Sequence, residues 1–143
     1  MPHQPIQHDD DLIRSVLDTA RTIAVLGASP KPERPSHSVF RFLLAAGYNA
    51  IPINPGQAGK EIAGRLVYAS LADVPEPIDI VDVFRPSAAL EGIVDDVLAL
   101  SPRPRVLWTQ LDIINPVATD RAEAAGMTVI TDRCMAIEYP RFF

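Results

Sequence analysis

Apolar residues recur along the chain in two alternating rhythms. Leu12, Ile13, Val16, Leu17 and Ala20 fall at helical spacing behind Asp9-Asp10-Asp11, whose carboxylates suit the positive end of a helix dipole. Thr22 to Leu26 then runs almost wholly apolar into Gly27, the pattern of a strand buried on both faces. Ser36 to Ala46 returns to helical spacing and is stopped by Gly47. Tyr48 to Ile53 reads as a second strand and Ile78 to Phe84 as a third. Leu90, Ile93, Val94, Val97 and Leu98 form a helical stripe, and Arg105 to Trp108 a fourth strand. Val117 to Ala125 is a helix ended by Gly126, and Met127 to Thr131 a fifth strand. Strands alternating with helices predict an α/β chain built on a doubly wound, parallel, five-stranded sheet. Most of the fourteen prolines fall in the joints. Pro52 falls inside the second strand, where its missing N–H predicts fraying or a bulge.

Composition narrows the function classes. The 143 residues make one domain spanning 1–143, with 1–8 expected to be a flexible N-terminal segment. A net charge of −5 argues against nucleic acid as a partner. No apolar run approaches the ~20 residues of a membrane span, and no apolar leader follows the polar start, so no membrane partner is expected. The single cysteine, Cys134, gives no disulfide framework and suits a reducing, cytoplasmic setting. The histidines are His3, His8 and His37, the last read as a capping or solvent side chain. No catalytic triad, carboxylate pair or metal-ligand cluster stands at credible spacing, so no catalytic or metal residues are expected.

In an open parallel sheet the ligand crevice lies outside the carboxyl ends of the strands. The residues there are Gly27 to Ser36, Asn54-Pro55-Gly56, Phe84-Arg85-Pro86, Trp108-Thr109-Gln110 and Asp132-Arg133-Cys134. Gly27 permits a tight exit, Ser29 offers a hydroxyl, and a helix N-terminus with Lys31 and Arg34 nearby suits a phosphate. Only the first glycine of a dinucleotide fingerprint is present. The second strand ends in Asn54 rather than an acid, which counts against NAD. Trp108 reads as a packing residue, and Gln110 as facing the crevice.

Gly27-Ala28-Ser29, Arg34-Pro35-Ser36, Gly47-Tyr48, Ile53-Asn54-Pro55, Tyr68-Ala69-Ser70-Leu71, Asp79-Ile80-Val81-Asp82, Trp108-Thr109-Gln110 and Asp132-Arg133-Cys134 carry a resemblance. In this order they resemble the stand-alone CoA-binding domain proteins, which are similar to the N-terminal domain of the succinyl-CoA synthetase α subunit. The resemblance runs from about Leu12 to the end. It implies a Rossmann-like domain whose cofactor is coenzyme A or an acyl-CoA. The implied phosphate loop is Gly27, Ala28, Ser29, Pro30, Arg34 and Ser36, closed on one side by Asn54 and Pro55 and on the other by Phe84, Arg85 and Pro86. Gln57 stands where the synthetase relatives have a lysine.

The synthetase's phosphorylated histidine lies in a second domain that these residues do not include. The expected function is therefore a non-catalytic binding or regulatory module, with a homodimer allowed. Two alternatives stay open: a nucleotide-cofactor, NAD(P) or CoA-thioester enzyme subunit needing a partner chain, and a protein-interaction subunit with a degenerate ligand loop. Cys134 reads either as a buried small hydrophobe or, beside Arg133, as a redox thiol able to form a mixed disulfide with CoA.

Overall fold

The protein is described as a computed structural model covering residues 6–143. Helix α1 (Asp10–Thr19) starts at Asp9, whose carboxylate accepts from the Asp11 N–H at 2.9 Å. Strand β1 (Thr22–Leu26) follows, then α2 (Pro35–Ala45), β2 (Asn49–Ile53), β3 (Glu61–Ile62) and β4 (Arg65–Leu66). The second half continues through β5 (Ile80–Val83), α3 (Leu90–Leu98), β6 (Val106–Thr109), α4 (Pro116–Ala124), β7 (Thr128–Ile130) and α5 (Met135–Glu138). The main sheet has five parallel strands in the order β2-β1-β5-β6-β7, the doubly wound Rossmann-like arrangement expected from the alternation.

Strand alternation divides the core in two. Ile23, Val25, Ile80 and Trp108 face one side and pack with Ile13, Phe40 and Met135 from α1, α2 and α5. Ala24, Ile51, Val81 and Leu107 face the other and pack with Leu90, Val94, Ala118 and Ala122 from α3 and α4. Each strand therefore needs apolar residues at successive positions, which produces continuous runs rather than an alternating pattern.

Three departures from the sequence expectations have physical causes. Pro52 neither frays nor bulges: the ladder passes through Val25↔Pro52 to Leu26↔Ile53. Its carbonyl accepts from the Tyr68 N–H at 3.0 Å on the outer side of β2, so the missing proline N–H falls away from β1. The second departure is the β3–β4 hairpin, whose turn has φ of 50° at Ala63 and 80° at Gly64. Two positive φ values suit a tight hairpin turn, and Gly64 adopts one freely. The third is α5, four residues long and too short to show periodicity. At the other terminus, the His8 ring lies 3.0 Å from both the carbonyl and the N–H of Thr131, and Arg133 bonds the Ile6 carbonyl. Residues 6–8 thus lie against the end of β7, while residues 1–5 of the segment read as flexible are outside the described residues.

Candidate functional site

The connection after β1 returns over one face of the sheet to β2, and the chain then crosses to β5 on the other side of β1. The carboxyl ends of β1 and β5 therefore diverge, and a crevice opens between their following loops. A cleft of about 590 Å³ lies there, walled by Ser29, Lys31 and Arg34 on the β1 side, by Phe84 and Arg85 after β5, and by Gln110 and Ile113 after β6. A second cavity of about 320 Å³ adjoins it through Gly27, Asn54 and Arg85. Leu26, Ile53, Leu71 and Ile93 give it apolar walls, and Ser70 and Asp96 polar ones.

The backbone at Gly27 permits this geometry. Its φ is +92°, and a Cβ there would stand 3.3 Å from Arg85 Cδ and 3.5 Å from the Phe84 carbonyl carbon. Glycine thus serves both the turn and the close approach of Arg85. The Gly27 and Ala28 N–H groups both donate to the Ile53 carbonyl, at 3.0 and 3.2 Å. Asn54 caps the turn after β2 with its oxygen on the Gly56 N–H at 2.9 Å, while its Nδ2 donates to the Ala28 carbonyl at 2.7 Å.

Electrostatics favour an anion in this cleft. Helix α4 is capped by its own Asn115, as α1 is by Asp9, whereas α2 has Arg34 at its N-cap with no side-chain bond to the helix. Arginine has no acceptor to offer, and its cation stands beside a positive helix end. Among the described residues Lys31, Arg34 and Arg85 form no ion pair. Such a concentration of unneutralised positive charge on an acidic protein fits a negatively charged guest.

Two buried polar side chains on this half of the sheet lack partners. Gln110, at the cleft wall, is 8% exposed, and its Oε1 has no hydrogen-bond partner. Asp82 is fully buried beside Val25 and Trp108, and neither carboxylate oxygen is bonded. Burial pushes its carboxyl well above the usual range.

Of the sequence-expected site residues, Gly27, Ser29, Pro30, Lys31, Arg34, Ser36, Asn54, Phe84, Arg85 and Gln110 line the larger cleft. Pro55 lines the second cavity. Ala28 and Pro86 line neither. Ala28 is packed into the core and contributes its carbonyl to Asn54, and Pro86 accepts from the Ala89 N–H in the following turn. Trp108 is wholly buried and donates to the Arg133 carbonyl at 2.9 Å, so it packs as read. Cys134 is buried in the core at the start of α5 and is not among the residues lining the cleft. His37 corrects its reading. It is buried, with Nδ1 2.9 Å from the Ser29 carbonyl and Nε2 accepting from Arg41 Nε at 2.8 Å.

Gln57, noted in the sequence at the place of the relatives' lysine, lines the larger cleft, whereas sequence reasoning missed Leu111 and Ile113 there and the apolar walls of the second cavity. The signal for that cavity was Tyr68-Ala69-Ser70-Leu71. Its backbone pairs alongside Ile53, which brings Ala69 and Ser70 beside the end of β2. Asp112, by contrast, turns away with φ +67° and its N–H on Asp132 Oδ1 at 2.7 Å, leaving Leu111 and Ile113 toward the cleft.

Known proteins share this fold. Uncharacterized protein YneT of Bacillus subtilis (strain 168) is 36% identical over 127 residues, 89% of this chain and 91% of that protein. The solved cell-free ID.343 from Thermus thermophilus superposes with a TM-score of 0.89 at 43% identity, covering 95% of this chain and all of the other. The dinucleotide-forming acetyl-coenzyme A synthetase 1 of Ca. Korarchaeum cryptofilum, solved with phosphate and ADP, contains a similar unit. There the TM-score is 0.64 at 28% identity, over 85% of this chain but only 27% of the synthetase. The sequence profile described as CoA binding domain matches residues 21–140, so the chain belongs to the CoA-binding domain family.

Proposed function

We propose that this protein holds coenzyme A or an acyl-CoA in the cleft at the carboxyl ends of β1, β5 and β6, as a non-catalytic binding or regulatory module of the cytoplasm. The observation that carries this reading is the convergence of Lys31, Arg34 and Arg85, none of them ion-paired among the described residues, on a cleft of about 590 Å³ beside an α2 N-terminus with no side-chain cap. CoA brings a pyrophosphate and a ribose phosphate, which such cations receive through charge-assisted hydrogen bonds. The adjoining cavity suits a flat heterocycle between its apolar walls, with the Asp96 carboxylate ready to accept from an exocyclic amine. Gln110 Oε1 offers an acceptor to an amide N–H of the ligand's arm. Asn54 after β2 weighs against NAD, because the ribose-holding acid is missing.

The likeness to one quarter of an acetyl-CoA synthetase favours a second reading, in which a partner chain supplies catalytic groups to a CoA thioester held here. Thermal unfolding with CoA, acetyl-CoA, dephospho-CoA, NAD and ATP in parallel separates the possibilities. A ligand at a hundred times its Kd stabilises by about 2.7 kcal/mol, a shift of several degrees at this size. A shift with CoA, weaker with dephospho-CoA, supports the reading. A shift with NAD alone, or with none of the five, overturns it.

A further inference from the structure

We propose that His37 is a positioning residue: as a neutral imidazole protonated on Nδ1, it ties down the Ser29 carbonyl and so sets the shape of the loop that receives the ligand's phosphate. The inference rests on the CoA reading above and assigns the device that orders that site. Arg41 Nε stands 2.8 Å from His37 Nε2. A guanidinium can only donate, so Nε2 must present a bare lone pair. The ring proton of the neutral form therefore sits on Nδ1, which is 2.9 Å from the Ser29 carbonyl and donates to it.

Asn54 Nδ2 holds the preceding carbonyl, that of Ala28, at 2.7 Å. Two consecutive carbonyls are thus fixed from two different places, by Asn54 just after β2 and by His37 in α2. A trans peptide sets N–H opposite to C=O, so tying back the Ala28 carbonyl turns the Ser29 N–H away from Asn54. The next residue is Pro30, which has no N–H of its own to anchor the loop. His37 supplies that anchor from a buried position, one turn from Arg34 at the cleft.

Two near-isosteric variants split this role from simple packing. In His37→Asn the amide nitrogen occupies the place of Nδ1, keeping the bond to Ser29 and losing the one from Arg41. In His37→Gln the polar end occupies the place of Nε2, losing the bond to Ser29. Calorimetric titration of CoA into the full-length wild type and both variants, with melting curves to confirm folding, reads the difference. His37→Gln should bind CoA about tenfold more weakly and His37→Asn within about threefold of wild type. Nitrogen-15 NMR of the free wild-type protein at neutral pH should show His37 Nε2 unprotonated. Binding by His37→Gln at wild-type strength, equal loss in both variants, or a proton on Nε2 overturns the inference. Failure of the folded wild type to bind CoA instead overturns the CoA reading on which the inference rests.

Discussion

The two ends of the main sheet are built in opposite ways. At the amino-terminal end, polar groups are matched within the protein. Asp79, just before β5, accepts from the Arg21 and Thr22 N–H groups at 2.9 Å each and lies 3.6 Å from Arg105. Burial works to raise its carboxyl, but those two N–H donors and the Arg105 guanidinium outweigh burial and hold it below the usual carboxylate range. Asn49 bonds Thr22, Glu76 and Arg65, and the Tyr48 hydroxyl donates to the Leu17 carbonyl. Burial, with Tyr139 and Asp18 nearby, pushes that phenol up to about 12, so it stays a donor across the ordinary pH range. At the carboxyl end, among the described residues, Lys31, Arg34 and Arg85 have no ion-pair partner and the Gln110 oxygen has no donor. One end is closed chemistry that holds strands in place; the other is left open to a guest. Stability and binding should therefore respond separately to substitutions at the two ends.

The strongest test removes the open end's charge. Lys31→Ala, Arg34→Ala and Arg85→Ala combined should cost about 4 kcal/mol of CoA affinity, roughly a thousandfold, with the melting temperature nearly unchanged. Calorimetric titration beside a melting curve checks both halves, and a comparable loss of stability would break the contrast. Asp79→Ala should do the reverse. Losing the acceptor for two backbone donors should cost about 2 kcal/mol in urea unfolding and leave CoA affinity intact. The Asp79 contribution is present at pH values above the ordinary carboxylate range and is lost as pH falls through its lowered folded value.

Gly27→Ala bridges the two behaviours. Its positive φ should cost about 1–2 kcal/mol of stability, and the added Cβ should displace the Arg85 side chain and weaken CoA binding as well. Asp82→Asn alters a pH dependence rather than a contact. The fold binds a proton at Asp82 that the unfolded chain releases near pH 4, so wild-type stability should fall by up to about 1.4 kcal/mol per pH unit as pH rises from there toward the raised folded value. Asp82→Asn should flatten that slope in urea titrations across pH 4–7. An unchanged slope would assign it to other groups.

What the sequence made legible follows the same division. Strands buried on both faces, such as Thr22–Leu26, declare themselves because both cores demand apolar residues. Helix α3 declares itself through its apolar stripe, and α4 through Pro116 at its start and Gly126 beyond its end. The crevice could be placed because the alternation implied a switch in strand order, which fixes where loops diverge. What stayed hidden depends on contacts distant in sequence. Nothing local marks Ile113 as a cleft wall, and a hairpin of two-residue strands is too short for a period of two to show. His37 was misread for the same reason. Its role lies in Ser29 and Arg41, and only the packing of α2 against the first loop makes it a buried contact.

The Ile53 carbonyl receives two N–H groups, those of Gly27 and Ala28, and Pro30, Pro32 and Pro35 bring no main-chain donor. The loop after β1 is consequently poor in main-chain donors, unlike glycine-rich loops that wrap phosphate in amides. An anion held here leans on long, solvent-bathed side chains whose attraction fades over about 8 Å at physiological ionic strength. Occupancy of such a site would track the salt content of its surroundings, rising as the medium is diluted and falling as it concentrates.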